Sequence, residues 1–259
     1  MVTSASARPR VSWLLAATPI MVILAHYAAV LPHEFAHSIM AWILGIKDQP
    51  GNIDWGGASL PNILFLIHID ENVDYTAALD AGKHWQVALT AFAGPGIANV
   101  SLFLISRYLI TKPLFRTRPV AANFLFWFLF MNLGNMYDYV PMRVFSDDGD
   151  VHNFIQGTGL SPWVIYVVGS YLVLWAIVDF YRNVLPLGLR LSGFFTPTAR
   201  GVTLVVATVF LFGYFANPSL LVGPDPRLQA LAATSVMAIP PVIILLWHRI
   251  VTPSGGHSA

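Results

Sequence analysis

Long apolar runs divide the chain into candidate membrane spans. Residues 11–46 contain a single formal charge, at Glu34, and five further runs contain none: 84–106, 119–137, 151–178, 201–224 and 228–248. About 20 apolar residues in a helix cross the roughly 30 Å hydrocarbon layer of a bilayer. Trimmed to that length, the runs predict six spans near 12–45, 85–106, 119–138, 161–180, 201–217 and 229–248. None alternates apolar and polar residues as the strands of a membrane β-barrel do. The predicted fold is an all-α integral membrane bundle of about six transmembrane helices.

Two features interrupt this pattern. Pro32 lies inside the first span, where it removes a backbone donor and predicts a kink, and Pro240-Pro241 predicts a similar break in the last span. The long connection 47–83 contains an apolar run, 63–69, that is too short to span and rich in strand-forming residues. This run predicts a short β-hairpin or strand at the membrane face, after the first helix.

Composition supports the membrane assignment. Charged residues make up 10% of the chain, whereas about 25% is usual in a soluble globular domain. The net charge of +1 provides no basic excess for a nucleic-acid partner. The chain has no cysteine, which excludes disulfides and thiolate metal ligands. The lipid bilayer is therefore the expected surrounding, and nucleic acid is not an expected partner.

The basic residues predict an orientation. Ten of the 14 lie in alternate segments: the N-terminus, the 107–118 loop, the 182–200 loop and the C-terminal tail. Because cytoplasmic segments carry an excess of Lys and Arg, both termini are predicted to be cytoplasmic, in a multi-pass protein of the cell membrane. A cleaved signal peptide is the alternative for residues 1–30, but its apolar region normally spans only about 7–15 residues.

The first span contains an H-E-x-x-H motif, His33-Glu34-Phe35-Ala36-His37. Four helical residues advance about 400°, so His33 and His37 lie about 40° apart on one face and can share a metal. Glu34 lies beside them, where it can take a proton from a metal-bound water. An ionisable residue at bilayer depth costs roughly 2.5–3.5 kcal/mol on insertion scales, which favours a functional role over a histidine pair in a packed core. The motif predicts one catalytic Zn²⁺ per chain.

A catalytic zinc keeps three protein ligands and one open position. In the absence of cysteine, the third ligand must be His or a carboxylate. Asp147, Asp148 and Asp150 follow the third span and, in the predicted topology, lie on the same side as the two histidines. Position alone leaves all three open, and a solvated acidic loop is the alternative.

Three segments, in chain order, resemble the site-2 protease family of intramembrane zinc metalloproteases. The H-E-x-x-H helix continues to Ala41 and then Leu44-Gly45, as is common in the family. The second span contains an A-G-P segment ending at Asn99, similar to the family's A-G-P-x-x-N. The third span is similar to the family's N-x-x-P…L-D-G segment, with Asn135, Pro141 and Asp148-Gly149. The resemblance covers about residues 20–155.

The resemblance implies Asp148 as the third zinc ligand, because it directly precedes Gly149. Two departures leave Asp147 and Asp150 as alternative ligands: the spacing from Asn135 to Pro141 is longer than usual, and Asp147 replaces the Leu before the Asp-Gly pair. The sequence shows no boundary for a second domain, so a single membrane domain, 1–259, is predicted. The resemblance implies that 11–155 form a three-helix catalytic core; no motif covers the three further helices of 156–259, whose role is unassigned.

Asn99 and Asn135 are the remaining candidates. An amide beside the zinc can donate a hydrogen bond to the oxyanion or to the substrate backbone. The alternative is that these buried amides hold neighbouring helices together.

Together these observations predict an intramembrane zinc metalloprotease, a hydrolase acting on transmembrane or membrane-proximal protein substrates. His33, His37 and Asp148 are the expected zinc ligands, Glu34 is the general base, and the 63–69 strand would hold the substrate by β-augmentation. The alternative is a non-catalytic metal-binding regulator or a metal transporter using the same histidines. Transport is disfavoured because it would place ionisable groups along successive spans.

Overall fold

The computed structural model describes residues 12–217 and 225–246. Within them the regular secondary structure is helical, apart from one isolated antiparallel bridge between Asp54 and Asp70. The main helices are α1 (Ser12–Ala16), α2 (Thr18–Ile43), α3 (Leu60–Phe65), α4 (Tyr75–Asp80), α5 (His84–Leu109), α6 (Pro119–Tyr137), α7 (Gly149–Thr158), α8 (Pro162–Leu191), α9 (Pro197–Tyr214) and α10 (Pro226–Leu245). The prediction of an all-α fold is confirmed.

Five helices are long and apolar enough to cross a membrane: α2, α5, α8, α9 and α10. They correspond to five of the six predicted spans. The remaining predicted span is α6, which packs against α2, α5, α8 and α9 and contributes Trp127 and Phe130 to the main hydrophobic core. The protein is therefore an all-α membrane bundle arranged around a buried central helix.

Several helices contain irregular turns. In α5, the segment Ala93–Asn99 is π-helical, which accommodates Pro95 without ending the helix. π-Helical turns often occur at functional sites. Helix α2 continues through Pro32 without interruption, whereas α10 is divided by a turn at Ala238. The break predicted in the last span is thus confirmed.

The strand predicted for residues 63–69 is wrong. Residues Leu60–Phe65 form helix α3, and Leu66 ends it in the left-handed conformation. The Ser59 side chain caps the first turn by accepting a hydrogen bond from the Asn62 amide, and Pro61 occupies a position that favours a helix start. A short apolar run does not by itself distinguish a strand from a helix. Here the capping residues decide for the helix.

The connection between α2 and α5 is held against α2 by side-chain hydrogen bonds to backbone carbonyls. The Ser38 hydroxyl donates to the Pro50 carbonyl at 2.8 Å, and His26 Nε2 lies 2.7 Å from the Phe65 carbonyl oxygen. Lys83 Nζ donates to the Gly45 carbonyl at 2.7 Å, which joins the two ends of the connection. The connection therefore forms a cap over the end of α2 that carries the H-E-x-x-H motif.

Candidate metal centre

Three buried side chains from two helices converge at one point. His33 and His37 of α2 bring their Nε2 atoms within 3.1 Å of each other. Asp150 Oδ2, from α7, lies 3.3 Å from His33 Nε2 and 3.1 Å from His37 Nε2. Two ligands that each lie about 2.1 Å from a tetrahedral zinc ion are about 3.4 Å apart. The spacing of the three atoms is therefore close to that of a zinc ligand set, and the group could hold a metal ion.

Hydrogen bonding fixes the protonation of His37. Its Nδ1 lies 2.7 Å from the Thr90 carbonyl oxygen, which can only accept, so Nδ1 carries the proton. In the neutral ring, Nε2 then presents a lone pair to the other two atoms of the group. An outer hydrogen bond of this kind is what holds a metal-ligating histidine in the required tautomer.

A chain of amides fixes His33 in the same way. Asn132 Nδ2 donates to the Phe128 carbonyl at 2.8 Å, which leaves Asn132 Oδ1 to accept from Asn99 Nδ2 at 3.0 Å. Asn99 Oδ1 is thereby turned to His33 Nδ1, at 2.6 Å. Because the chain starts at a backbone carbonyl, each donor and acceptor along it is determined, and His33 Nδ1 carries the proton.

The two assignments together favour a cation at the centre. With both Nδ1 atoms protonated, two imidazole lone pairs and a carboxylate oxygen face one another at 3.1–3.3 Å. Three acceptors at this distance repel one another unless a proton or a metal ion lies between them. The buried donor set of two imidazoles and one carboxylate matches the ligands of catalytic zinc sites.

The acidic cluster supplies Asp150, and not Asp148, to this group. Asp148 precedes α7, is exposed, and accepts a hydrogen bond from the Ser146 hydroxyl at 2.7 Å. Asp147 is also exposed. Both differ from Asp150, which lies in the first turn of α7 and is buried. Asp148, the predicted third ligand, therefore lies outside the group, and Asp150, which the sequence left as an alternative, is the carboxylate that could complete a metal site.

Packing of α7 on α5 explains this register. Gly157 follows Asp150 by seven residues, or two helical turns, so both lie on one face of α7. A Cβ on Gly157 would come within 2.5 Å of the His84 carbonyl oxygen and 2.6 Å of the Ala88 amide nitrogen. The absence of a side chain thus lets α7 approach the α5 backbone, and Asp150 is carried to the face on which α5 and α2 meet.

Glu34 is buried beside the group, within electrostatic range of His37, Asp150, Asp70 and Glu71. The last two belong to the cap. Glu71 is itself buried and accepts a hydrogen bond from the Tyr75 hydroxyl at 2.6 Å. Burial and the nearby Glu71 carboxylate raise the pKa of Tyr75 far above its usual value, so the phenol remains a donor. The cap therefore adds carboxylates to the environment of Glu34.

Tyr139 was not identified from the sequence. Its hydroxyl lies 3.0 Å from His33 Nε2, and its ring stacks on the His33 imidazole with centroids 5.2 Å apart. The residue follows the end of α6, where the backbone at Val140 leaves the helical conformation. No sequence motif marks this position. The available signal was Pro141, which indicates an irregular end of α6 close to Tyr139.

The two candidate asparagines have different surroundings. The Asn99 side-chain oxygen is hydrogen-bonded to His33, and the Asn99 amide donates to Asn132. Asn135 is buried in α6, and in the described part of the chain it is not among the residues hydrogen-bonded to the histidines or Asp150. The Asn99 amide is therefore already engaged by Asn132, and the oxyanion role of Asn135 stays a prediction.

No family model, curated protein or solved structure matches this chain. The likeness to site-2 proteases therefore rests on the motifs alone.

Proposed function

We propose that the protein is an intramembrane zinc metalloprotease that hydrolyses peptide bonds of transmembrane or membrane-proximal protein substrates. One observation carries the proposal: two histidine lone pairs and the Asp150 carboxylate converge within a membrane bundle, with Glu34 buried beside them. A metal-binding regulator needs the three ligands but has no use for an adjacent buried acid.

Each residue at the site would have a distinct role in hydrolysis. His33, His37 and Asp150 would hold Zn²⁺, which when bound lowers the pKa of a water ligand and polarises the scissile carbonyl. Glu34 accepts a proton from the attacking water and returns it to the leaving amine. Tyr139, whose hydroxyl lies 3.0 Å from His33 Nε2, would donate a hydrogen bond to the oxygen of the scissile carbonyl once that nitrogen is bound to the metal.

The substrate must be locally extended. Backbone carbonyls in a helix are occupied by internal hydrogen bonds, so a transmembrane helix has to unwind before attack. The sequence suggested that a strand at 63–69 would hold the unwound segment, but that region is helix α3 and its C-terminal turn. We therefore assign no β-augmentation to the cap.

Metal analysis tests the ligand set. Full-length protein purified without added chelator is expected to contain about one zinc per chain, and His37→Ala and Asp150→Ala are expected to lose it. Asp148→Ala is the matched control, two residues away and exposed, and should retain the metal. Loss of zinc in Asp148→Ala but not in Asp150→Ala would refute this ligand set.

Glu34→Gln separates a protease from a regulator or transporter. The variant keeps the size and burial of the side chain but cannot accept the proton. We expect wild-type zinc content and loss of at least a thousandfold in cleavage of internally quenched peptides with apolar centres. If the peptides are cleaved at the wild-type rate, Glu34 is not the base.

The sidedness of the site follows from the positive-inside count, which predicts the cap on the non-cytoplasmic side. The terminal segments on which that count partly depends, 1–11 and 247–259, lie outside the described residues. Single cysteines can test it, because the native chain has none. Ala58→Cys in the cap should react with an impermeant maleimide added to intact cells, whereas Thr117→Cys should not. The reverse pattern would invert the topology.

A further inference from the structure

An apolar cavity of about 380 Å³ lies between α5, α7 and α8 and extends to the candidate metal centre. Asp150 and Tyr139 are part of its wall, and both contact the histidine pair. The rest of the lining is apolar or backbone, and includes Phe92, Val151 and Phe154. A ligand in this cavity would therefore lie directly beside the atoms proposed to carry out hydrolysis.

We infer that this cavity is a specificity pocket, which receives a large aliphatic or aromatic side chain of the substrate next to the cleaved bond. The inference rests on the proposed function, and it adds to that function a rule for choosing the cleavage site. It also names α8, which no motif covers, as the helix that forms the outer wall.

The volume of the cavity suits a substrate side chain. It is within the usual range of pockets that hold small ligands, about 300–1,000 Å³. The cavity can accommodate one large side chain, or two smaller ones, of an extended segment. Because the backbone carbonyls of a helix are already hydrogen-bonded, the substrate would be unwound before its side chain enters.

The lining also selects by polarity. Asp150 is the charged residue of the lining, and its carboxylate is engaged by both histidines. A charged or amide side chain entering the cavity would lose its hydration without gaining a partner from the apolar walls. An aromatic or long aliphatic side chain has no polar group whose hydration would be lost, and it gains van der Waals contacts with the apolar walls.

The position of α8 gives the route of entry. Val164, Val168 and Leu172 line the cavity and recur every four residues on one face of α8. All three are exposed on the bundle surface, where a spanning helix meets the hydrocarbon. An apolar substrate segment can therefore reach the pocket from the lipid, past α8, without crossing the cap.

Binding of peptide hydroxamates tests the pocket without depending on turnover. Hydroxamates attach to zinc directly, so zinc-loaded full-length protein in nanodiscs can be titrated with a series that differs in the adjacent side chain: Gly, Leu, Phe and Asp. We expect the Leu and Phe compounds to bind at least tenfold more tightly than the Gly and Asp compounds.

Two neighbouring valines provide a matched pair of variants. Val168 lines the cavity and is 57% exposed, whereas Val167 is 49% exposed and is not part of the lining. Val168→Trp should fill the cavity and reduce the preference for Leu and Phe over Gly at least tenfold, and Val167→Trp should leave it unchanged. Val164→Trp obstructs the same wall one turn away and serves as a second filling variant.

The outcomes separate the pocket from the proposed activity. If zinc and hydroxamates bind with the expected preference but peptides are not cleaved, the pocket stands and the protease proposal fails. If the side chain of the hydroxamate makes no difference, or if Val167→Trp and Val168→Trp act alike, the pocket is refuted even when cleavage is observed.

Discussion

Helices α6 and α8 are both apolar, but they occupy opposite situations in the bundle. Thirteen of the 19 residues of α6 are buried, whereas α8 buries eight of its 30. Helix α6 carries Asn123 and Asn132, each buried and hydrogen-bonded to a neighbouring side chain. Much of α8 presents Val, Leu and Trp side chains to the surroundings.

The difference shows that, in a membrane bundle, the most buried helix need not be the most apolar one. A helix that faces lipid must be apolar all round its exposed surface, because hydrocarbon offers polar groups no partner. A helix enclosed by other helices can carry amides, provided that each finds a partner. Polar residues in α6 therefore mark the interior of the bundle, where the amide chain reaches His33, and not a loop.

The largest predicted contrast is between two tryptophans. Trp127 of α6 is fully buried, and Trp175 of α8 is 57% exposed. Trp127→Ala should destabilise the protein by about 3–5 kcal/mol, because a large cavity remains in a packed interior. Trp175→Ala should change stability by about 0.5 kcal/mol or less. Unfolding in mixed micelles with increasing SDS measures both.

A conservative variant separates packing from hydrogen bonding at Trp127. The Trp127 indole N–H has no partner in the part of the chain that the structure describes. Trp127→Phe should therefore retain most of the packing, sacrifice no hydrogen bond, and lose much less stability than Trp127→Ala. Equal losses for Trp127→Ala and Trp175→Ala would mean that α6 is not the central helix.

The sequence specified the local features well. Apolar runs located the five helices that are long and apolar enough to cross a membrane, because a membrane sets both their length and their composition, and also located the central helix α6. The H-E-x-x-H spacing brought His33 and His37 together, because four residues on a helix fix their separation. Both predictions depend only on residues close in the chain.

Features that depend on packing between distant segments were not predictable in the same way. The choice of Asp150 over Asp148 depends on where α7 begins and on the approach of Gly157 to α5, 69–73 residues away along the chain. The contact of Tyr139 with His33 depends on the irregular end of α6. The 63–69 run is a different case, because its error was local: its length fits a strand or a helix, and the adjacent Ser59 cap decided for the helix.

A chain of amides joins α6 to the candidate metal centre. Asn132→Leu removes the acceptor that turns Asn99, so the Asn99 side chain no longer fixes the tautomer of His33. Loss of such an outer hydrogen bond typically weakens metal binding about 10–100-fold, or about 1.4–2.7 kcal/mol. Competition with a fluorescent zinc chelator measures the change.

Asn183→Leu on α8 is the matched control. Asn183 is exposed and donates to Asp179 at 2.7 Å, far along the chain from the histidines. The variant should bind zinc like the wild type. If Asn132→Leu folds and retains wild-type zinc affinity, the amide chain does not position His33.

The smallest effect is expected for two tyrosines. The Tyr137 hydroxyl, on α6, donates to the Ser235 hydroxyl at 2.7 Å, and Ser235 in turn donates to the Phe212 carbonyl at 2.8 Å. Tyr137→Phe removes one donor but leaves Ser235 bonded to the backbone of α9. The loss of stability should therefore be close to the average of about 0.6 kcal/mol for a hydrogen bond between membrane helices.

Tyr171→Phe is the control, at a position of α8 that is 72% exposed, and it should cause no measurable loss of stability in the same SDS titration. A loss of several kcal/mol for Tyr137→Phe would show that Ser235 depends on the tyrosine, and that α6 holds α9 and α10 by polar contacts more than by packing.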